Sequence, residues 1–304
     1  APSAYWARPN LIPILAFRMV DATLKHGLTE VSAFAFSGYG IIMTGVLKSM
    51  RKGHRYGQLG LSLLDKLNSK EWISQIVNPV SALINHWNEH VDLSLKPLQD
   101  SFHIGLETGE NEFACVNANI YCIHAFLCGK PLVKLEEETK NYSKAFQRLN
   151  QETQFNYNEV FRQAMHSFLG KSEDPQLLIG NAYDELTMES LHLERKDQAG
   201  EFLLYFNRML VSYYFGNYQK AVDQADKAVK LIDAVMSKYE IPNHFFYQAL
   251  SALALYQSQK NDKQTKLLSL AKRNLRKLKY FAKYAPENSK HKCLIIESQL
   301  HLAK

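Results

Sequence analysis

His86-Trp87-Asn88-Glu89-His90 is the segment of this 304-residue chain whose residue types come closest to a catalytic pattern. It reads H-x-x-E-H. On an α-helix, two histidines four apart share a face and can grip zinc beside a glutamate base. A zinc centre also needs a third ligand and an open coordination position, and no second motif supplies either. At the end of a repeat helix the same residues serve packing, with Trp87 turned inward and the histidines flanking the turn. Gly170-Lys171-Ser172 ends like a phosphate loop, but Met165 stands where the first glycine belongs, so the backbone cradle is not built. Cys115 and Cys122 lie seven apart on an expected helix 111–128 and share a face, where small side chains suit close helix contact. His103 and His124 read as packing or surface residues, and Glu136-Glu137-Glu138 as a solvated helix face. There is no Gly-x-Ser-x-Gly elbow and no dinucleotide fingerprint. The expectation is a non-enzyme with no catalytic, cofactor-binding or metal-binding residues.

Composition sets the frame for those residues. With 46% apolar or aromatic residues the chain can bury a core, and 14 Gly with 9 Pro is too few for an all-β fold with a turn every ten residues or so. The four cysteines form no CxxC pair, which predicts a reducing, cytoplasmic setting. The opening Ala1-Pro2-Ser3, without Met or a signal-like segment, predicts an excised or processed piece. The longest uncharged run, Val31 to Leu47, has 17 residues and several Gly and Ser. A span needs about 20 predominantly apolar residues, so a buried helix is expected and no membrane insertion. Net charge is +6, yet residues 257–292 hold eleven Lys/Arg against Asp262 and Glu287, a net +9 that leaves the remainder at −3. Beneath those charges Leu267, Leu268, Ala271, Leu275, Leu278 and Ala282 recur at helical spacing. The segment therefore reads as an amphipathic helix docked on a core with its basic face in water. The same face also suits an acidic partner; nucleic acid is not expected.

Periodicity predicts an all-α fold. EFLLYFNRMLVSYYF (201–215) runs to Gly216 without a turn residue, and in 218–235 Ala221, Ala225, Ala228, Leu231 and Ile232 fall three to four apart. Helix breaks are expected at Gly53-His54, around Val91-Asp92, at Gly129-Lys130, from Gly170 to Asp174, at Gly216-Asn217 and at Asn261-Asp262. Their spacing of about forty residues, lengthening late in the chain, is that of a helical solenoid. The expected organisation is one helical-repeat domain over 1–304: a leading helix in 1–28, stacked hairpins over 29–284, and a capping helix in 285–304.

The unit from Tyr205 to Leu231 resembles the tetratricopeptide pattern, with Gly216-x-Tyr218-x-x-Ala221 followed by Ala228 and Leu231. Arg208 and Met209 stand where that pattern has Leu-Gly. Gly129 with Leu132 and Leu135 is a weaker copy, and Tyr56 with Gly57 and Gly60 a degenerate third. The resemblance implies a right-handed α-α superhelix of about six hairpins. By the same analogy Phe206, Leu210 and Tyr213 line the concave side in the clearest unit, and Asn119, Ile123 and Phe126 in the Gly129 unit.

HGLTEVSAFAFSGYGIIM (26–43), GLETGENEFA (105–114), FLCGKPL (126–132), YFGNYQKAV (214–222) and APENSKHKCLIIESQLHL (285–302) follow in that order. This succession looks like the helical-repeat region of large multidomain signalling kinases. Those proteins join a serine/threonine-kinase-like domain, a signal-transduction ATPase, this region, a GAF domain and often a histidine kinase. The resemblance implies a non-catalytic regulatory module that docks partner proteins or neighbouring ATPase and kinase domains. The alternative it leaves open is a sensor that binds a small molecule in its concave channel and relays occupancy to an adjacent ATPase.

Overall fold

The computed structural model describes residues 11–260 and 262–303. Among them are fourteen α-helices and no β-strand. Neighbouring helices pack in pairs, consistent with a helical solenoid. The leader expected in 1–28 is α1 (Ile12–His26), its first ten residues lying outside the described part; the Asn261-Asp262 break also falls partly outside it. No helix among the described residues is long and apolar enough to cross a membrane. The chain divides into two compact units, with the boundary between Tyr121 and Cys122.

The first unit contains α1, α2 (Glu30–Ile41), α3 (Met50–Leu67), α4 (Ile73–Pro79) and α5 (Leu95–Thr108). It also holds most of α6 (Asn111–Leu127). The uncharged run forms α2 and a π-helical turn, Ile42–Val46, and packs on α3. Contrary to the sequence expectation, Gly53-His54 is not a break. It lies inside α3, and so do Tyr56, Gly57 and Gly60. These glycines set how closely two helices approach rather than where one ends. A Cβ on Gly60 would meet the Ala33 carbonyl oxygen at 2.9 Å, and one on Gly53 would overlap the Thr44 hydroxyl. Small residues facing a neighbouring backbone are what permit such contact.

The second unit contains the end of α6, then α7 (Leu132–Arg148), α8 (Glu152–Phe168), α9 (Glu185–Arg195), α10 (Gln198–Tyr214) and α11 (Tyr218–Ala228). It closes with α12 (Glu240–Tyr256), α13 (Asp262–Ala282) and α14 (Pro286–Leu302). Helices α7/α8, α10/α11, α12/α13 and α13/α14 pack as successive neighbours, and α10 also packs on α8 and α12. One turn design recurs. Gly129, Asn150, Gly170, Lys196 and Gly216 all have positive φ, between 54° and 80°. After each, the next amide donates to a carbonyl five residues back: Lys130 to Ala125, Gln151 to Phe146, Lys171 to His166, Asp197 to His192 and Asn217 to Ser212. That is the Schellman closure of a helix C-terminus. At two of them the following side chain opens the next helix, as Asp197 accepts from the Gly200 amide and Asn217 from the Lys220 amide.

The turn chemistry gives a paired test. Gly216→Ala forces a Cβ into the left-handed region and is expected to cost about 1 kcal/mol, whereas Lys196→Gly relieves that strain and should gain a similar amount. Urea unfolding of both variants checks the opposite signs.

Candidate functional site

The metal-like motif comes apart in three dimensions. Asn85–Trp87 is a single 3-10 turn, so the i, i+4 face that H-x-x-E-H requires is never formed. His86 is buried with its ring 4.6 Å from that of Trp87. Glu89 reaches instead to His54, 2.6 Å away, and the His90 Nδ1 accepts from the Asp92 amide. Gly170-Lys171-Ser172 likewise has structural work: Gly170 ends α8, Lys171 binds Glu136 at 3.2 Å, and Ser172 accepts from the Gln163 amide group. Cys115 and Cys122 are buried, and burial pushes each thiol up to about 12. They are neutral and inert at physiological pH.

Buried charge lies where the sequence reading had placed water. Glu136 was expected on a solvated face; the structure buries it on α7 beneath α8, leaving only Glu137 of that run exposed. Its carboxylate takes Arg162 Nε at 2.9 Å, His166 Nε2 at 3.0 Å and Lys171 Nζ. Burial alone would raise this carboxyl, yet hydrogen bonds from His166, Arg162 and Lys171 hold it down at about 2. Glu159 completes the cluster, accepting from Arg162 at 2.7 Å and from Ser143 at 2.6 Å. A second cluster explains the departure at Arg208. Its guanidinium is buried between Glu185 and Glu189 of α9, at 3.1 and 2.8 Å, and the Tyr205 hydroxyl donates to Glu189. Once α9 presents two carboxylates one turn apart, the position on α10 needs a long cation rather than Leu. A third cation, Lys292 on α14, donates to Asn243 at 2.7 Å; burial brings it down to about 7.

Against that polar framework runs an aromatic ladder confined to the second unit. Phe202 lies along Phe206 (5.9 Å between centroids), Phe206 contacts Phe161, and Phe161 meets Phe126 edge-on at 5.6 Å. Phe168 stacks on Phe126 and, nearly parallel, on Phe215, each at 6.2 Å, and meets Tyr214 edge-on. The Tyr214 and Tyr247 hydroxyls are 2.7 Å apart, and Tyr213 packs on Tyr247 and Tyr218. One end of the ladder is sealed, Phe161, Phe202 and Phe206 being fully buried. The other end opens to solvent: Tyr214 is 58% and Phe215 39% exposed, with Phe126, Phe168, Tyr213 and Tyr247 half-buried.

The six expected groove residues therefore fall in different places. Phe126 and Tyr213 belong to the open end of the ladder. Phe206 belongs to its sealed end, and Leu210 and Ile123 are buried in the second unit. Asn119 is buried in the first unit. Phe168, Phe215 and Tyr247 were missed. The first two sit within two residues of the turn glycines Gly170 and Gly216, and an aromatic just before a turn glycine was the available signal. Burial raises the Tyr247 and Tyr213 phenols, which stay neutral and can both donate and accept. The open end can therefore bind through flat apolar faces and through hydroxyls that donate and accept.

Two stability measurements follow. Phe206→Ala is expected to cost about 3–5 kcal/mol, and Tyr214→Ala less than about 1 kcal/mol, as sealed and open ends of one ladder should. Glu136→Gln should cost about 3 kcal/mol at neutral pH by leaving buried cations unpaired. Because the folded carboxyl titrates at about 2 against an ordinary 4.5, its contribution is complete above 4.5 and is lost as the pH falls towards 2. Urea unfolding at neutral pH and near the lower limit should show that difference closing.

No protein-family model matches the chain. The chain is similar to hybrid signal transduction histidine kinase G of Dictyostelium discoideum, 27% identical over 144 residues. That match takes in 47% of this chain and 4% of the relative, so the chain spans a small part of the relative's length.

Proposed function

We propose that the chain is a non-catalytic interaction and regulatory module of a signal-transduction kinase polypeptide. On this reading residues 1–304 act as one tetratricopeptide-like helical-repeat region. It docks a partner protein or a neighbouring ATPase or kinase domain. The observation that carries the reading is the similarity to a hybrid signal transduction histidine kinase, of which the matched stretch is a small fraction. The ladder's open end supports a docking role, since aromatic side chains with hydroxyls are the residues interfaces enrich.

The sensor alternative has one observation in its favour. Glu240 and His244, one turn apart on α12, are fully buried, and neither the carboxyl oxygens nor the ring nitrogens have a hydrogen-bond partner. A polar ligand would satisfy them, but only if the surrounding helices parted to admit it.

A photoreactive phenylalanine analogue at position 215 separates the two readings. Docking requires a cross-link to a defined segment of the parent polypeptide outside residues 1–304, or to a defined signalling protein, and a chain empty of small molecules by native mass spectrometry. A retained small molecule released on denaturation, with no cross-link from position 215, would replace docking by sensing.

A further inference from the structure

Helix α13 carries a second surface, separate from the aromatic ladder. Its buried side is Ala271, Asn274, Leu275 and Leu278. On the other side Lys266, Lys272, Arg273 and Arg276 are all exposed, with Lys283 exposed just beyond the helix end. Positions 266, 273, 276 and 283 differ by three or seven and so share one stripe, about 25 Å long at the α-helical rise. Two other cations of α13 are engaged within the protein: Lys277 lies 3.8 Å from the Phe245 ring centroid, and Lys279 pairs with Glu297 of α14 at 2.5 Å. Among the described residues, Lys266, Lys272, Arg273 and Arg276 form no ion pair within 4.0 Å.

We propose that this stripe docks an acidic helical segment of a partner polypeptide, with carboxylates repeating every three or four residues. The Lys279–Glu297 pair is the local template, a carboxylate on one helix meeting a cation of α13 from alongside. A second acidic helix on the open side would meet Lys266, Arg273 and Arg276 in the same way. A lipid surface fits less well. Helices that lie on membranes insert large apolar residues beside their cations, and α13 exposes none among its described residues. Nucleic acid fits less well too, because Tyr280 is half-buried and no exposed ring lies along the stripe to stack on a base.

Fluorescence anisotropy of the 304-residue chain with a labelled helical peptide tests this. The probe has about 20 residues with Glu at every third or fourth position. It is titrated at about 0.15 M salt, where long-range attraction is screened. Reversing the stripe with Lys266→Glu, Arg273→Glu and Arg276→Glu should weaken binding about tenfold, as three exposed pairs together allow. The charge-matched set Arg51→Glu, Lys52→Glu and Arg55→Glu, at exposed positions of α3, should change it less than about twofold. Lys266→Gln, Arg273→Gln and Arg276→Gln should give an intermediate loss, and is the decisive set if reversal lowers helicity. Equal weakening by stripe and control sets would reduce the effect to net charge. Failure of the peptide to bind, or tighter binding of duplex DNA or of phosphatidylserine vesicles, would overturn the proposal. None of these outcomes bears on the aromatic ladder, so this proposal and the docking role of the ladder fail separately.

Discussion

Every residue of α10 from Gly200 to Ser212 is buried, and the architecture of the second unit follows from that constraint. A helix with no solvent face cannot be one half of an isolated hairpin. It has to be enclosed, and α8, α9, α11 and α12 enclose it. Burial of that extent puts polar residues inside as well as apolar ones, and Arg208 is the clearest case. Its charge is tolerable there because α9 delivers Glu185 and Glu189 to it, both within 3.1 Å. Breaking such a pair leaves a buried charge without compensation, so removing one partner costs far more than the pair itself contributes. The Glu136 cluster ties α7 to α8 by the same kind of buried pairing.

The parts of this fold legible in the sequence are those that depend on local chemistry. Gly129, Gly170 and Gly216 end helices because the left-handed conformation costs glycine little, and that preference needs no tertiary partner. Asn150 and Lys196 adopt the same conformation without advertising it, so their turns escaped the pattern. Gly53, Gly57 and Gly60 misled for the complementary reason: they answer to the closeness of neighbouring segments, the Ala33 carbonyl at Gly60, Thr44 and the Gly40 carbonyl at Gly53, and the Ile84 and Val80 side chains at Gly57, which no local spacing reveals. Glu136 looked like one of three solvated acids because its partners lie 26 to 35 residues further on. Arg208 registered only as a deviation from a repeat, and its meaning came from α9.

The candidate site was legible in a similar measure. Aromatic residues near helix ends could be read as groove residues, and Phe126 and Tyr213 do reach the open end of the ladder. Phe206 has the same chemistry and spacing but sits where α8 and α10 converge, so its ring is sealed. The difference between core and surface aromatic is set by which neighbour covers the ring, a tertiary fact. The geometry leaves a flat, hydroxyl-bearing surface backed by a polar framework of paired charges. That surface is the one on which the proposed docking role rests.

Hydrogen–deuterium exchange, comparing the chain alone with the chain bound to a partner cross-linked from position 215, addresses the proposed docking role most directly. The proposed docking at the open end requires added protection in that complex at Phe126, Phe168 and the 213–218 turn, with the already buried core of α10 unchanged. Unchanged exchange at those positions would contradict it.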